Sequence, residues 1–327
     1  MLRVRALLLI CLVAFAPTAV ALDAQGHRGA RGLLPENTLA AFERALTIGI
    51  HTLEMDLGVT RDGHVVVMHD MRLNPSLTRD STGAWLNGET APAVNSLTLQ
   101  ELQTYDVGRI RPNSRYATRF TSQEAIDGTR VPTLAEVFQL VNSNGRRHVR
   151  FNIETKINPL KPALTLGPAE FVEAVVSVVR EHRLSERVSI QSFDWRTLQH
   201  ASTRAPDITT VYLSAQQRWL DTIEAGKPGA SPWTAGYDID DFDGDLPRMI
   251  KAAGGDIWSP FHGDIDAAKV ARAQSLGLQV IVWTVNDKPR MRDLIDMDVD
   301  GIITDYPDRL MEVLKKLPAI THTPTHQ

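Results

Sequence analysis

Short apolar runs rich in β-branched residues alternate along this chain with segments whose apolar positions recur at helical spacing. The runs at 24–27, 51–59, 65–69, 149–154, 188–192, 210–213, 256–259, 279–284 and 301–304 are mostly continuous rather than alternating, as in strands covered on both faces. Helical patterns lie between most of them. The segment 37–47 carries apolar residues at Leu39, Phe42, Ala45 and Leu46, and 171–181 and 265–275 are similar. This alternation predicts an α/β fold with a parallel sheet, and about eight repeats predict a (β/α)8 TIM barrel rather than an open sheet.

Nine runs are one too many for such a barrel. Arg61-Asp62-Gly63 accounts for the surplus, being an Asp-Gly turn with no room for a helix on either side. The runs flanking it must be hairpin partners or a local distortion of the barrel. A hairpin folded about Asp62 sets His69 opposite Glu54. The rhythm breaks again from 73 to 130, a stretch rich in Asn, Ser, Thr, Gly, Pro and Arg with one helical piece at 99–105. It is expected to form a small inserted subdomain, where barrels carry the loops that shape a substrate pocket. The mixed stretch 226–245 reads as a further loop on that face. Its acidic run at 238–245 lacks EF-hand spacing and is expected to be solvated.

At the start of the chain, Arg3 and Arg5 precede the apolar run ALLLICLVAFA and an Ala-x-Ala site ending at Ala21. Residues 1–21 are therefore expected to be a cleaved signal peptide, giving an exported protein that is periplasmic or secreted. Residues 22–318 then form the barrel domain with its insertion at 73–130, and 319–327 a flexible tail. Cys11 is the only cysteine and lies in the apolar run, so the mature chain can use neither disulfides nor thiol catalysis. A formal charge of −4 gives no reason to expect nucleic acid or stable membrane association as partners, and leaves oligomeric state open. Any phosphate must be held locally, by a few cations or a metal.

Three segments end apparent strands with ionisable residues. GHRGARGLLPENT holds His27, Arg28, Glu36 and Asn37; LEMDLGVTRDGHVVVMHD holds Glu54, Asp56, His69 and Asp70; FNIETK holds Glu154 and Lys156. Strand ends at one face of a barrel converge, so these residues can surround one point. Glu54 and Asp56 are two apart on a strand and share a face, where two carboxylates at low dielectric need a cation, a shared proton or a basic partner. Three carboxylates without cysteine suit a hard divalent ion, Mg²⁺ or Ca²⁺. An alternative with the same residues is a buried structural network of Glu54, Asp56, Lys156 and Arg28. His27 and His69 suit acid–base work near neutral pH, and Arg28 and Lys156 can hold phosphate oxygens or balance the carboxylates. Phe193 and Trp283 can line a pocket or sit in the core.

Taken in order, HRGARGLLPENTLAAFERAL, LEMDLGVTRDGHVVVMHD, VPTLAEVF, NIETK, QSF, VWTVND and DGIITDYPD make the chain resemble the glycerophosphodiester phosphodiesterase family from His27 to about Asp308. The resemblance implies a distorted (β/α)8 barrel with a small inserted subdomain and a glycerophosphodiester, such as glycerophosphocholine or glycerophosphoethanolamine, as substrate. It implies hydrolysis to sn-glycerol 3-phosphate and an alcohol with one divalent metal ion. By residue match Glu54, Asp56 and Glu154 become metal ligands, His27 and His69 the acid–base pair, and Arg28 and Lys156 phosphate contacts. Glu36 then lies near the metal, Asn37 organises the ligands, and Phe193 and Trp283 wall the glycerol and alcohol moieties. The long insertion is like that of exported bacterial members, which favours Ca²⁺ over Mg²⁺. A phospholipase C- or D-like relative acting on intact lipid should instead expose an apolar or aromatic membrane-docking surface around the site, and no aromatic cluster stands out in the loops. A non-catalytic barrel should lack part of the set, and a glycoside hydrolase would not need the histidine pair or Lys156.

Overall fold

A computed structural model describes residues 22–143 and 145–317, so the expected signal peptide and tail lie outside the described residues. The chain runs β1 (Asp23–Gly26), α1 (Leu39–Ile48), β2 (Thr52–Val59), β3 (Val65–Val67), α2 (Leu99–Leu102), α3 (Arg115–Arg119) and α4 (Leu134–Ser143). It continues through β4 (Arg150–Thr155), α5 (Pro168–Glu181), β5 (Val188–Ser192), α6 (Trp195–Arg204), β6 (Thr209–Ser214) and a small hairpin of β7 (Gln216–Gln217) and β8 (Leu220–Asp221). Then come α7 (Leu246–Ala252), β9 (Ile257–Pro260), α8 (Ala267–Ser275), β10 (Gln279–Val282), α9 (Lys288–Asp296), β11 (Gly301–Thr304) and α10 (Pro307–Lys316). Eight parallel strands follow the order β1, β11, β10, β9, β6, β5, β4, β2, and pairing of β2 with β1 closes the (β/α)8 barrel.

The surplus strand is β3. β2 continues past the rim, turns at Asp62-Gly63, and β3 pairs back on it antiparallel with Val59 opposite Val65 and Leu57 opposite Val67. This register differs by one residue from the sequence expectation, since it brings Met55 rather than Glu54 to the level of His69. The strand also ends at Val67, after which the Met68 N–H donates to the Asp56 carbonyl at 2.8 Å. His69 is thus carried down to the carboxylates by the returning arm of a hairpin that distorts the rim.

Alternation within β2 divides its chemistry. Leu53, Met55 and Leu57 are buried among the residues of the surrounding helices, Phe42 of α1 and Phe138 of α4 included. Burying each such side chain stabilises the fold by about 1.5–3 kcal/mol. Glu54 and Asp56 point the other way, into the barrel. The barrel interior is itself divided. Val211, Ile257, Ile281 and Ile303, from β6, β9, β10 and β11, form an apolar cluster against which Trp283 packs. On the β1, β2, β4 and β5 side the interior is polar, with Asn152 donating to Gln25 and to Gln191 at 3.0 Å each.

Between β3 and α4 the chain carries a second small apolar cluster, in which Leu73, Val94, Leu102 and Val131 pack against Val66 of β3. Thr98 caps α2 in a capping box with Glu101, so even this short helix has its first N–H groups satisfied. The second irregular stretch, 226–245, carries Trp233 into the rim of the main cavity, while Asp241 and Asp243 of its acidic run stay exposed as expected.

Candidate active site

The site begins where β1 ends. The chain leaves Gly26 through a tight turn in which Arg28 and Gly29 both have positive φ, +50° and +83°. A Cβ on Gly29 would lie 2.6 Å from the Ala41 carbonyl carbon, so glycine is required for the turn to seat against α1. Arg28 holds its left-handed conformation because its N–H donates to Glu54 Oε2 at 2.9 Å and its carbonyl accepts from the Asn37 N–H at 3.0 Å. The turn therefore aims His27 and Arg28 across the mouth of the barrel.

Glu54, Asp56 and Glu154 meet there, each able to offer an oxygen within 4.8 Å of the others. All three are buried. β2 and β4 pair with Asp56 beside Glu154, so the cluster follows directly from strand register. Asn37 organises it: its amide donates to Asp56 Oδ2 at 2.9 Å. Gln191 donates to Glu54 Oε1 at 2.7 Å. Lys156 donates to Glu154 Oε1 at 2.8 Å and lies 3.6 Å from Asp56 Oδ1, while Arg28 Nε is 3.0 Å from Asp56 Oδ2.

Both readings left open by the sequence find support in these contacts, because the carboxylates are paired with cations yet not satisfied by them. Asp56 Oδ1 is buried with no hydrogen-bond partner. Burial and the neighbouring Asp56 push Glu54 well above the usual carboxylate range, and burial pushes Glu154 up to about 7. Burial opposes ionisation of Asp56 too, but Arg28, His69 and Lys156 hold it well below its ordinary value. Three buried carboxylates of which two resist ionisation, with one orphaned oxygen, fit a divalent cation with oxygen ligands. The triad can hold such an ion.

Two histidines flank the triad. His27 is hydrogen-bonded through Nδ1 to Asp305 Oδ1 at 2.6 Å, and its Nε2 is 3.9 Å from Glu54 Oε2. His69 is bonded through Nδ1 to Asp70 Oδ1 at 2.7 Å. Each carboxylate is steadied in turn, Asp305 by the Asn286 amide and Asp70 by the Asn74 amide, both at 2.7 Å. Burial lowers both imidazoles; Arg28 and Lys156 add to the effect at His69 and bring it to about 4. Asp305, although burial opposes its charge, is driven far down by His27 and Arg31.

Every residue singled out from the sequence lies in or against this site, with one change of setting. Glu36 does not join the carboxylate triad. It accepts hydrogen bonds from Arg28 at 2.7 Å and from the Tyr116 hydroxyl, and pairs with Arg31 Nε at 2.8 Å. Its carboxylate, despite burial, is kept low by Arg28 and Arg31. Phe193 and Trp283 meet edge to face at 5.4 Å on the wall opposite, with Lys156 Nζ 6.0 Å from the Phe193 centroid. The structure adds residues the sequence did not single out. Asp305, Asn286 and Gln191 sit within the segments DGIITDYPD, VWTVND and QSF, where strand-end position was the available signal. Arg31, Trp219 and Trp233 come from loops, and Tyr116 from the short helix α3, too brief for any periodicity to mark it. Trp219 and Trp233 also overturn the expectation that the loops hold no aromatic cluster: both line the cavity beside Phe261 and Trp283.

A phosphate-ester site on a closed barrel is the class this geometry defines, and comparison with known proteins names the family. Residues 27–309 match the Glycerophosphoryl diester phosphodiesterase family. The chain is similar to a glycerophosphodiester phosphodiesterase of Caldanaerobacter subterraneus subsp. tengcongensis, 31% identical over 290 residues that span 89% of this chain and 96% of that one. A crystal structure from Silicibacter pomeroyi DSS-3, assigned as a glycerophosphoryl diester phosphodiesterase, superposes with a TM-score of 0.80 at 35% identity, covering 91% and 94% of the two chains. An Oleispira antarctica phosphodiesterase, solved with its product sn-glycerol-3-phosphate, shares the fold at 22% identity and a TM-score of 0.65, covering 90% and 97%. The chain belongs to the glycerophosphodiester phosphodiesterase family of phosphoric diester hydrolases.

Proposed function

We propose that this protein hydrolyses glycerophosphodiesters to sn-glycerol 3-phosphate and an alcohol, with His27 and His69 as the acid–base pair and Glu54, Asp56 and Glu154 holding one divalent ion. The observation that carries the reading is the pairing of each imidazole Nδ1 with its own carboxylate, Asp305 or Asp70, beside a triad that retains an orphaned oxygen. Fixing Nδ1–H against a carboxylate selects the tautomer and leaves Nε2 to exchange a proton with substrate. A divalent ion bound by the triad would polarise the phosphoryl oxygens and offset the charge of the diester.

The chain's own residues supply the rest. Arg28 and Lys156 hold the remaining phosphoryl oxygens, and their guanidinium and ammonium stay charged among Glu36, Asp56 and Glu154. One histidine takes the proton of the attacking hydroxyl while the other delivers a proton to the departing oxygen. The imidazoles are held neutral in the free site. A bound phosphate anion opposes the field of Arg28 and Lys156 and so favours the protonated form that the acid step needs. Water, or the substrate's own 2-hydroxyl followed by water, gives the same product. Phe193 and Trp283 wall the glycerol and alcohol. The all-oxygen donor set suits Ca²⁺ and Mg²⁺ alike; calcium is the preferred ion in this reading because the stretch 73–130 is like the insertion of exported bacterial members. An exported location rests on the basic, apolar and Ala-x-Ala pattern of residues 1–21.

The test incubates the mature protein with glycerophosphocholine after chelation, then with Ca²⁺ or Mg²⁺ restored, and measures sn-glycerol 3-phosphate. Release that requires added ion, with Ca²⁺ the better of the two, is the expected result. Absence of release with every divalent ion would sink the assignment.

A further inference from the structure

The cavity over the triad encloses about 880 Å³, and five cationic side chains line it: Arg28, Arg31, Lys156, Arg115 and Arg119. They are not equivalent. Arg28, Arg31 and Lys156 are largely buried, and each is matched by carboxylates, Arg28 by Glu36 and Asp56, Arg31 by Glu36, and Lys156 by Glu154. Arg115 and Arg119 of α3 are exposed and, among the described residues, form no ion pair. Arg119 rests its guanidinium over the Phe120 ring at 5.6 Å. The carboxylates on this side of the cavity are already engaged. Glu36 is held by Arg28, Arg31 and Tyr116, and Asp70 by His69 and Asn74. The charge left over at the lip is therefore positive.

Unpaired arginines are ordinary on a protein surface, but the placement of these two is not. They stand four residues apart on α3 and so share one helix face. The helix is also docked. Tyr116 bonds through its hydroxyl to Glu36 and Arg31, its ring meets Phe120 at 5.2 Å, and the Ser114 side chain accepts from the Ala117 N–H at 3.1 Å. Just beyond it, Gln123 donates to the Arg31 carbonyl at 2.7 Å and the Glu124 N–H to the Leu33 carbonyl at 2.9 Å. The two guanidiniums are thus presented to the cavity by a segment fastened to the loop that carries Arg28. A glycerophosphodiester has one negative charge at its phosphate, for which Arg28 and Lys156 suffice. Two more free guanidiniums on the same cavity have nothing to hold in a neutral or cationic head group, but they suit one with an anionic group of its own. The far wall, where Phe193 meets Trp233 and Trp283, offers such a group no partner.

We propose that Arg115 and Arg119 form a second anion subsite at the lip of the cavity, which makes the enzyme select diesters whose alcohol carries an anionic group. The carboxylate of glycerophosphoserine is the simplest case. This rests on the phosphodiesterase reading above and concerns the choice among substrates, not the chemistry at phosphorus.

Glycerophosphoserine and glycerophosphoethanolamine differ only by that carboxylate and release the same glycerol 3-phosphate, so one readout serves. Initial rates with the divalent ion supplied are compared for wild type, the double variant Arg115→Gln/Arg119→Gln and the double variant Arg115→Lys/Arg119→Lys. Wild type should favour glycerophosphoserine in kcat/KM by about tenfold, the scale of two exposed ion pairs. The glutamine pair should bring that ratio close to one through a higher KM for glycerophosphoserine at nearly unchanged kcat, because contacts remote from phosphorus are made equally in the ground and transition states. The lysine pair should keep most of the preference, which should shrink for wild type as salt is raised and the exposed charges are screened. Turnover of glycerophosphoethanolamine with no preference for glycerophosphoserine would overturn the subsite and leave the phosphodiesterase reading standing. So would a glutamine pair that loses both substrates alike. Turnover of neither substrate by wild type would overturn both.

Discussion

Asp305→Asn isolates what a carboxylate behind His27 does for turnover. The aspartate is buried, holds His27 Nδ1 at 2.6 Å, and receives the Asn286 amide on its other oxygen. Asparagine has the same shape and can keep the contact with Asn286, so the fold should survive. What is lost is the charge. A hydrogen bond to an ionised partner contributes about 1.5–3 kcal/mol, which corresponds to roughly 10–150-fold in rate if it is felt fully in the transition state. If the new amide keeps its single oxygen on the Asn286 donor, its NH₂ faces the ring and fixes the wrong tautomer, and the loss extends to the order of 10⁴-fold. Steady-state release of glycerol 3-phosphate should therefore show kcat down by about 10²–10⁴-fold. KM and calcium affinity, followed by calorimetric titration, should stay close to wild type because Asp305 is not one of the three clustered carboxylates. The pH profile adds a sign. Asp305 raises the pKa of His27 against burial and the nearby arginines, so removing its charge moves the limb belonging to His27 to lower pH. That is the acidic limb if His27 is the base, and the alkaline limb if it is the acid. A loss under about fivefold with an unmoved profile would refute the idea that this pair sets the tautomer.

Asp56→Asn should abolish metal-dependent stabilisation, which in wild type reaches about 2.7 kcal/mol at a hundredfold excess of ion over Kd. Melting curves with and without Ca²⁺ check this, and activity should fall more than about a hundredfold. Tyr116→Phe removes a hydroxyl that bridges Arg31 and Glu36 and so loosens Arg28; KM should rise about five- to tenfold with kcat nearly unchanged, as read from initial rates. Gly29→Ala forces a side chain into the Ala41 backbone at positive φ and should cost about 3 kcal/mol or more, seen as a melting temperature lowered by roughly 6–12 °C.

The regular part of this molecule was readable because it repeats. Strands at Val188–Ser192 and Gly301–Thr304 fall where their apolar runs place them, and the Asp62-Gly63 turn betrays the extra strand. Hairpin register was less secure. The returning arm, Val65–Val67, is uniformly apolar, so its pattern does not choose between registers one residue apart against Leu57–Val59. Strand-borne site residues were legible for a related reason, since a charge that ends an apolar run in a barrel must face the mouth. Trp219 and Trp233 in loops and Tyr116 in the five-residue α3 were not, because such segments carry no readable period and only the folded chain shows which of their side chains turn inward. Glu36 shows a further limit. The resemblance put it near the metal; in the structure two arginines and a tyrosine claim its oxygens, and Arg31 and Tyr116 reach it only in three dimensions.

The division of the barrel interior explains how one scaffold sustains so costly a cluster. Burying Glu54, Asp56 and Glu154 exacts a desolvation penalty of several kcal/mol per ion before any partner is counted. The polar half of the barrel meets part of that cost with fixed dipoles: Gln191 holds Glu54, is itself held by Asn152, and Asn152 is anchored to Gln25 on β1. These amides do not titrate, so Glu54 keeps its partner when the triad changes charge. The opposite half, built on Val211, Ile257, Ile281 and Ile303, contributes ordinary apolar burial and turns upward into Trp283 and its neighbouring rings. Polar and apolar side chains are thereby set on opposite arcs of one ring of strands, with neither half compromising the packing of the other.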